Sequence, residues 1–142
     1  MSKNKKSAWI AIIAGLLVLL AGVVWFKNSH SQPTDIPFDY VVESGGGLTI
    51  HKVWAQNTGT NVEFHIDYTS DVDRGLSFFD PPVGKHLSIQ KNFPAGTGSV
   101  LVVASSSALQ KISNLTVNFY IPDKEITGHL FFDFQKIMDI LP

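Results

Sequence analysis

The groups in this chain able to hold a metal ion or move a proton are five histidines and twelve carboxylates; cysteine is absent. That absence removes disulfides, thiolate zinc sites, iron–sulfur clusters, a cysteine nucleophile and a lipoprotein anchor. The histidines are His30, His51, His65, His86 and His129, and no two stand at the helical spacing that builds a zinc site on one face. His129 has Glu125 and Asp133 four residues to either side. In a strand, four residues span roughly 13 Å, too far to share one ion. His65 alternates with Glu63 and Asp67, so the three side chains share one strand face. Imidazole and carboxylate are suitable metal ligands, and His51 on a neighbouring strand would add a second imidazole. The plainer reading, a solvated strand face, is preferred.

Asp71-Val72-Asp73-Arg74-Gly75, with Asp67 and Asp80 nearby, looks like a fragment of a calcium loop. It lacks a third oxygen ligand before the glycine and the closing glutamate. Asp71 and Asp73 are therefore read first as an acidic turn and only second as cation ligands. Gly45-Gly46-Gly47 has no Gly-Lys-Ser/Thr ending and precedes a strand, so it is a flexible turn and not a phosphate loop. Ser105-Ser106-Ser107 has neither a Gly-x-Ser-x-Gly setting nor a Ser-x-x-Lys pairing. Asn114-Leu115-Thr116 has the form of a glycan acceptor but opens a strand. No pair of carboxylates stands apart for acid–base work, so the chain reads as a non-enzyme without a cofactor. One surface candidate remains, the run Phe78-Phe79-Asp80-Pro81-Pro82. Consecutive strand residues point to opposite faces, so one ring is expected outward beside a rigid loop. Phe78, Phe79, Pro81 and Pro82 are the partner-binding candidates, although core filling by one ring and loop covering by the other is the preferred reading, and Phe131 poses the same question.

The elements that position these residues follow from alternation. Val62, Phe64, Ile66 and Tyr68 alternate with Glu63, His65, Asp67 and Thr69. The runs 115–121 and 130–135 alternate in the same way, and each predicts a strand with one buried face. Residues 48–55 predict another strand whose phase shifts between Ile50 and Val53, which a bulge near His51-Lys52 repairs. A turn at 56–61 makes 48–55 and 61–69 a hairpin. Weaker strands are predicted at 38–43, 76–79, 86–90 and 99–104. Ser107 to Ser113 has room for one helical turn, and Gln135 to Leu141 reads equally as strand or short helix. Seven or eight short strands between Gly-, Pro- and Ser-rich turns predict an all-β fold, an antiparallel sandwich of immunoglobulin type, with a small barrel as the alternative.

In front of that domain, residues 8–26 hold no charged, amide or hydroxyl side chain. A helix of that length spans roughly 28 Å, the thickness of the hydrocarbon layer. Trp9 and Trp25 stand near its ends, where indoles prefer the headgroup region. Lys3, Lys5 and Lys6 precede it and only Lys27 follows, a bias that keeps the N-terminus in the cytoplasm. The chain beyond Lys27 carries seven basic residues against twelve acids, which argues against nucleic acid as a partner. The expected organisation is a cytoplasmic tail at 1–7, a transmembrane anchor at 8–26, a tether at 27–37 and an extracytoplasmic domain at 38–142. A cleaved signal peptide ending at Ser31 competes with the anchor, which fits the span length better. Ala11, Gly15 and Gly22 with Val18 form a stripe of smaller residues on which a second helix could pack; such residues are also common in spanning helices generally.

The strings 47–53 and 62–68 resemble the opening hairpin of immunoglobulin-like extracytoplasmic domains that accompany membrane-anchored anti-sigma factors of Gram-positive bacteria. Leu115 to Ile121 followed by 126–134 is similar to their closing strands. The resemblance implies the sandwich and its exported location. It carries no functional residue across, because only seven residues precede the span, leaving no cytoplasmic sigma-binding domain. The expectation is a single-pass membrane protein whose exported domain binds another envelope protein as an accessory or assembly subunit, or as a sensor. An exported small-ligand or metal-ion-binding domain is the alternative, and an enzyme ranks last.

Overall fold

The computed structural model describes residues 11–19, 31–80 and 85–141. Residues 11–19 are helical (α1), and their large apolar side chains are exposed. Among the described residues no helix is long and apolar enough to cross a membrane. The remainder of the expected span, residues 8–10 and 20–26 with Gly22, lies outside the described residues.

Among the described residues from 34 on there are nine strands: β1 (Thr34–Asp35), β2 (Phe38–Val42), β3 (Leu48–Asn57), β4 (Asn61–Ser70), β5 (Arg74–Asp80), β6 (Lys85–Phe93), β7 (Gly96–Ser105), β8 (Thr116–Tyr120) and β9 (Ile126–Phe132). Two short helices, α2 (Ser106–Leu109) and α3 (Phe134–Ile140), complete the chain. The strands form two antiparallel sheets, β1-β3-β4-β7 and β2-β9-β8-β5-β6. Inward residues of both meet in one core, where the Phe64 ring of the first sheet lies 5.4 Å from Phe78 and 5.9 Å from Phe132 of the second. The architecture is a β-sandwich.

Alternation explains how β4 lies: Val62, Phe64, Ile66 and Tyr68 are buried and the residues between them face outward. The expected bulge in β3 is present, as the register against β4 shifts between Ile50 and Lys52. It returns Val53 and Ala55 to the core face. The ambiguous C-terminal segment is a helix, capped by the Asp133 carboxylate accepting from the Gln135 N–H, with Ile137 and Ile140 buried three residues apart. Asn57 ties that helix to the first sheet, donating from its buried amide to the Ile140 carbonyl.

Two expectations need correction. The tether does not run free to residue 37. Thr34 and Asp35 pair with Ala55 and Trp54, the Ser31 N–H donates to the Asn57 carbonyl, and Ile36 is part of the core. Burial of the Ile36 side chain, with these backbone bonds, holds the segment against the domain. Phe78 is fully buried between the sheets, so it is core and cannot meet a partner.

The two sheets are pinned at one end by Arg74, whose side chain is 1% exposed. Its Nε donates to Ser70 Oγ (2.9 Å), Nη1 to Thr127 Oγ1 (2.9 Å), and Nη2 to both the Gly46 carbonyl (2.7 Å) and Asp71 Oδ1 (2.8 Å). One guanidinium thus joins the 45–47 turn, the end of β4, the start of β5 and β9. The turn accommodates this because Gly47 has φ +78°, and a Cβ there would collide with the Asp71 carboxylate. Arg74→Met removes four hydrogen bonds, two of them to the buried Ser70 and Thr127 hydroxyls, so urea unfolding at neutral pH is expected to show a loss of about 3 kcal/mol. The Arg74 hydrogen bond holds the Asp71 carboxyl below its ordinary value of 3.8. A depressed carboxyl stabilises the fold above its unfolded value, and that contribution disappears as pH falls through the folded value. Asp71→Asn is therefore expected to shrink the fall in thermal midpoint between about pH 4 and about pH 2.

Candidate interaction surface

The outward residues of β3, β4 and β7 make one continuous face. Across it, Trp54 stands opposite His65, which stands opposite Leu101; Gln56, Glu63 and Val103 form the row on one side, and Lys52, Asp67 and Ser99 the row on the other. The alternation that buries Phe64 and Ile66 forces Glu63, His65 and Asp67 outward together, as their spacing predicts.

At the centre, the indole of Trp54 and the imidazole of His65 are stacked, with centroids 3.6 Å apart and planes 3° from parallel. The stack shields His65 Nε2 from water and leaves it without a hydrogen bond, because Glu63 Oε2 is 3.8 Å away. Beside the stack, Leu101 is 39% and Val103 45% exposed. Lys52 and Asp35 form an exposed ion pair of 3.0 Å on the flank. The face thus has an aromatic and aliphatic centre and a rim of amide and charged groups, the composition of a protein contact surface.

The other candidates are placed as follows. Although β3 and β4 are neighbours, His51 sits at the bulge and bonds Thr69 Oγ1 at 2.8 Å, away from His65. Asp71 is engaged by Arg74, and Asp73 Oδ1 accepts from the Ala95 N–H at 2.8 Å, so both carboxylates of the acidic turn serve the fold. Among the described residues no three His, Cys, Asp or Glu are grouped to hold a metal ion. Phe131 is outward and 40% exposed on the second sheet. Pro81, Pro82 and the side chain of Phe79 lie outside the described residues, while Ala11 and Gly15 fall in α1.

One arrangement was not anticipated. His129 bonds Glu43 Oε1 through Nε2 (2.7 Å) and Asn118 Oδ1 through Nδ1 (2.6 Å) on the outer face of the second sheet. Asn118 and His129 are directly opposite in register, and both stand in the polar phase of their strands. That shared phase was the available signal; Glu43 lies 86 residues away. Both ring nitrogens meet a side-chain oxygen, which fixes the orientation of the ring.

No family model, no curated protein and no solved structure matches this chain.

Removing one ring of the stack tests its energy and its geometry together. His65→Ala is expected to lower stability by about 1 kcal/mol. It should also red-shift the Trp54 emission, isolated by subtracting the spectrum of Trp54→Phe. Unchanged emission would mean that the rings do not touch in solution.

Proposed function

We propose that this chain is a single-pass membrane protein with a cytoplasmic N-terminus, whose extracytoplasmic, immunoglobulin-like sandwich binds another envelope protein as an accessory or assembly subunit, or as a sensor. The observation that carries the reading is the outer face of the first sheet, where the Trp54–His65 stack adjoins exposed Leu101 and Val103 within a polar rim. Large aromatic residues at the centre of such a patch are where interface energy concentrates. The same face offers no ligand cage and no nucleophile with its base.

Membrane attachment is supported by α1 and its flanks. Ile12, Ile13, Leu16, Leu17, Val18 and Leu19 are 56–72% exposed, an arrangement that needs a cover other than water. The lysine bias around the apolar run supplies the orientation. The immunoglobulin-like reading is supported by strand order. Sheet β3-β4-β7 facing β6-β5-β8-β9 follows the pattern in which two hairpins of one sheet are separated by a strand of the other.

Photo-crosslinking from position 54 of the full chain, in the membranes where it is naturally made, tests the proposal. The expected result is a discrete adduct with a second protein species. In an affinity measurement with that species, Trp54→Ala should weaken capture by about 30-fold, the size of a hot-spot loss. The absence of any protein adduct from this face, in a chain that is folded and membrane-bound, would overturn it.

A further inference from the structure

β7 is an edge strand, with β4 on one side and, among the described residues, no strand on the other. It pairs with β4 over ten residues without a register shift, from Gly96 to Ser105. Every second residue of such a strand turns its N–H and C=O away from its neighbour. Among the described residues, none of these β7 groups bonds outside the β4 ladder except the Ser105 carbonyl, which as N-cap accepts the first bond of α2. Exposed edges of this kind are normally blunted by charge, proline, shortness or a bulge. The other three edges are blunted. β1 has two residues and ends in Asp35; β2 has five and contains Asp39; β6 contains Lys85 and Lys91 and has an irregular register against β5. β7 reads Gly-Thr-Gly-Ser-Val-Leu-Val-Val-Ala-Ser, ten residues with no charge and no proline.

We infer that the β7 edge is a self-association site, pairing antiparallel with β7 of a second copy of this chain about a twofold axis at Val102. The choice of a second copy follows from the pattern of the strand itself. Directly opposite residues in an antiparallel pair share a face, so only registers that match outward with outward residues are allowed. With the axis at Val102, Leu101 lies opposite Val103 of the second copy, and the twofold repeats that pair. Val100 then faces Ala104, and Ser99 faces Ser105. Both exposed aliphatic residues of each copy are covered, while the buried Val100, Val102 and Ala104 stay on the core side. Moving the axis by one residue to Leu101 leaves Val103 facing Ser99; moving it to Val103 leaves Leu101 facing Ser105. An uncharged strand also has no feature that selects a charged foreign strand over its own copy. The interface is small, so the association is weak and reversible. The inference rests on the protein-binding reading in using Leu101 and Val103, and it names one occupant of that surface.

Because the chain has no cysteine, introduced thiols report contact directly. Full chains bearing Leu101→Cys and Val103→Cys, carrying different tags, are mixed in mild detergent under gentle oxidation. The mixture is expected to form the mixed disulfide roughly tenfold faster than either variant alone forms its own, since only residues 101 and 103 are directly opposed within bonding reach. A Lys91→Cys pair on the β6 edge supplies the background rate, and circular dichroism checks that each variant is folded. Val103→Lys in one copy should return the rate to background. Equal rates in all mixtures, or none above background, would overturn the inference. So would adducts from positions 101 and 103 to another protein without self-coupling. Loss of self-coupling alongside a retained heterologous adduct from position 54 removes this inference and leaves the protein-binding reading standing. Loss of both removes both.

Discussion

A single buried guanidinium sets the end of this sandwich. A charge removed from water is tolerated only when its donors are met, and Arg74, at the start of β5, has four oxygen acceptors drawn from β4, the β4–β5 turn, β9 and the glycine turn. Those elements belong to different sheets, so the arginine fixes how the sheets meet as well as where each one ends. The surrounding residues are fitted to it. Gly47 leaves room for the Asp71 carboxylate, and the ring of Tyr40 lies where a side chain on Gly128 would be. Burial raises the pKa of the Tyr40 hydroxyl, with Arg74 opposing that rise. A row of rings, Tyr40, Phe119, Phe93 and Tyr68, continues from that end across the core.

Rigidity at that end has a consequence for the outer face of the first sheet. β4 leaves a hairpin turn braced by Asn57 and ends at Ser70 beside Arg74, so it is held at both ends. Its outward residues are consequently presented in fixed register between β3 and β7. A Trp–His stack built across two strands spends little conformational freedom on meeting a partner. Elsewhere, Asp71 and Asp73 hold the β4–β5 turn, and Glu43 and Asn118 orient the His129 ring.

Much of the fold was legible because it follows from local pattern. The alternation 62–69 gives the buried face of β4, and the phase break at His51-Lys52 marks the bulge. The outward grouping of Glu63, His65 and Asp67 came from the same rule. What was not legible depends on contacts between distant segments. Arg74 stood inside an acidic turn, and its local spacing resembled a cation loop because the acceptors at Gly46 and Thr127 are supplied by other strands. Gly75 was read as part of that loop, whereas the ring of Tyr120 lies over it from the neighbouring strand. The Trp54–His65 stack needed the hairpin register, which the bulge displaces by one residue. Phe78 and Phe79 could not be sorted by pattern, since either alternation phase buries one of them. The open edge of β7 is a property of sheet order, which no local period encodes.

Hydrogen exchange on the β7 amides tests most directly whether the open edge of the first sheet is paired in the membrane. Outward-pointing amides between Thr97 and Ser105 are expected to exchange slowly in the chain's own membranes and quickly in the purified chain at high dilution. β4 amides, bonded on both sides, should be slow in both. Equally fast exchange of the β7 amides in the two settings would contradict the account, because the edge would then be meeting only water.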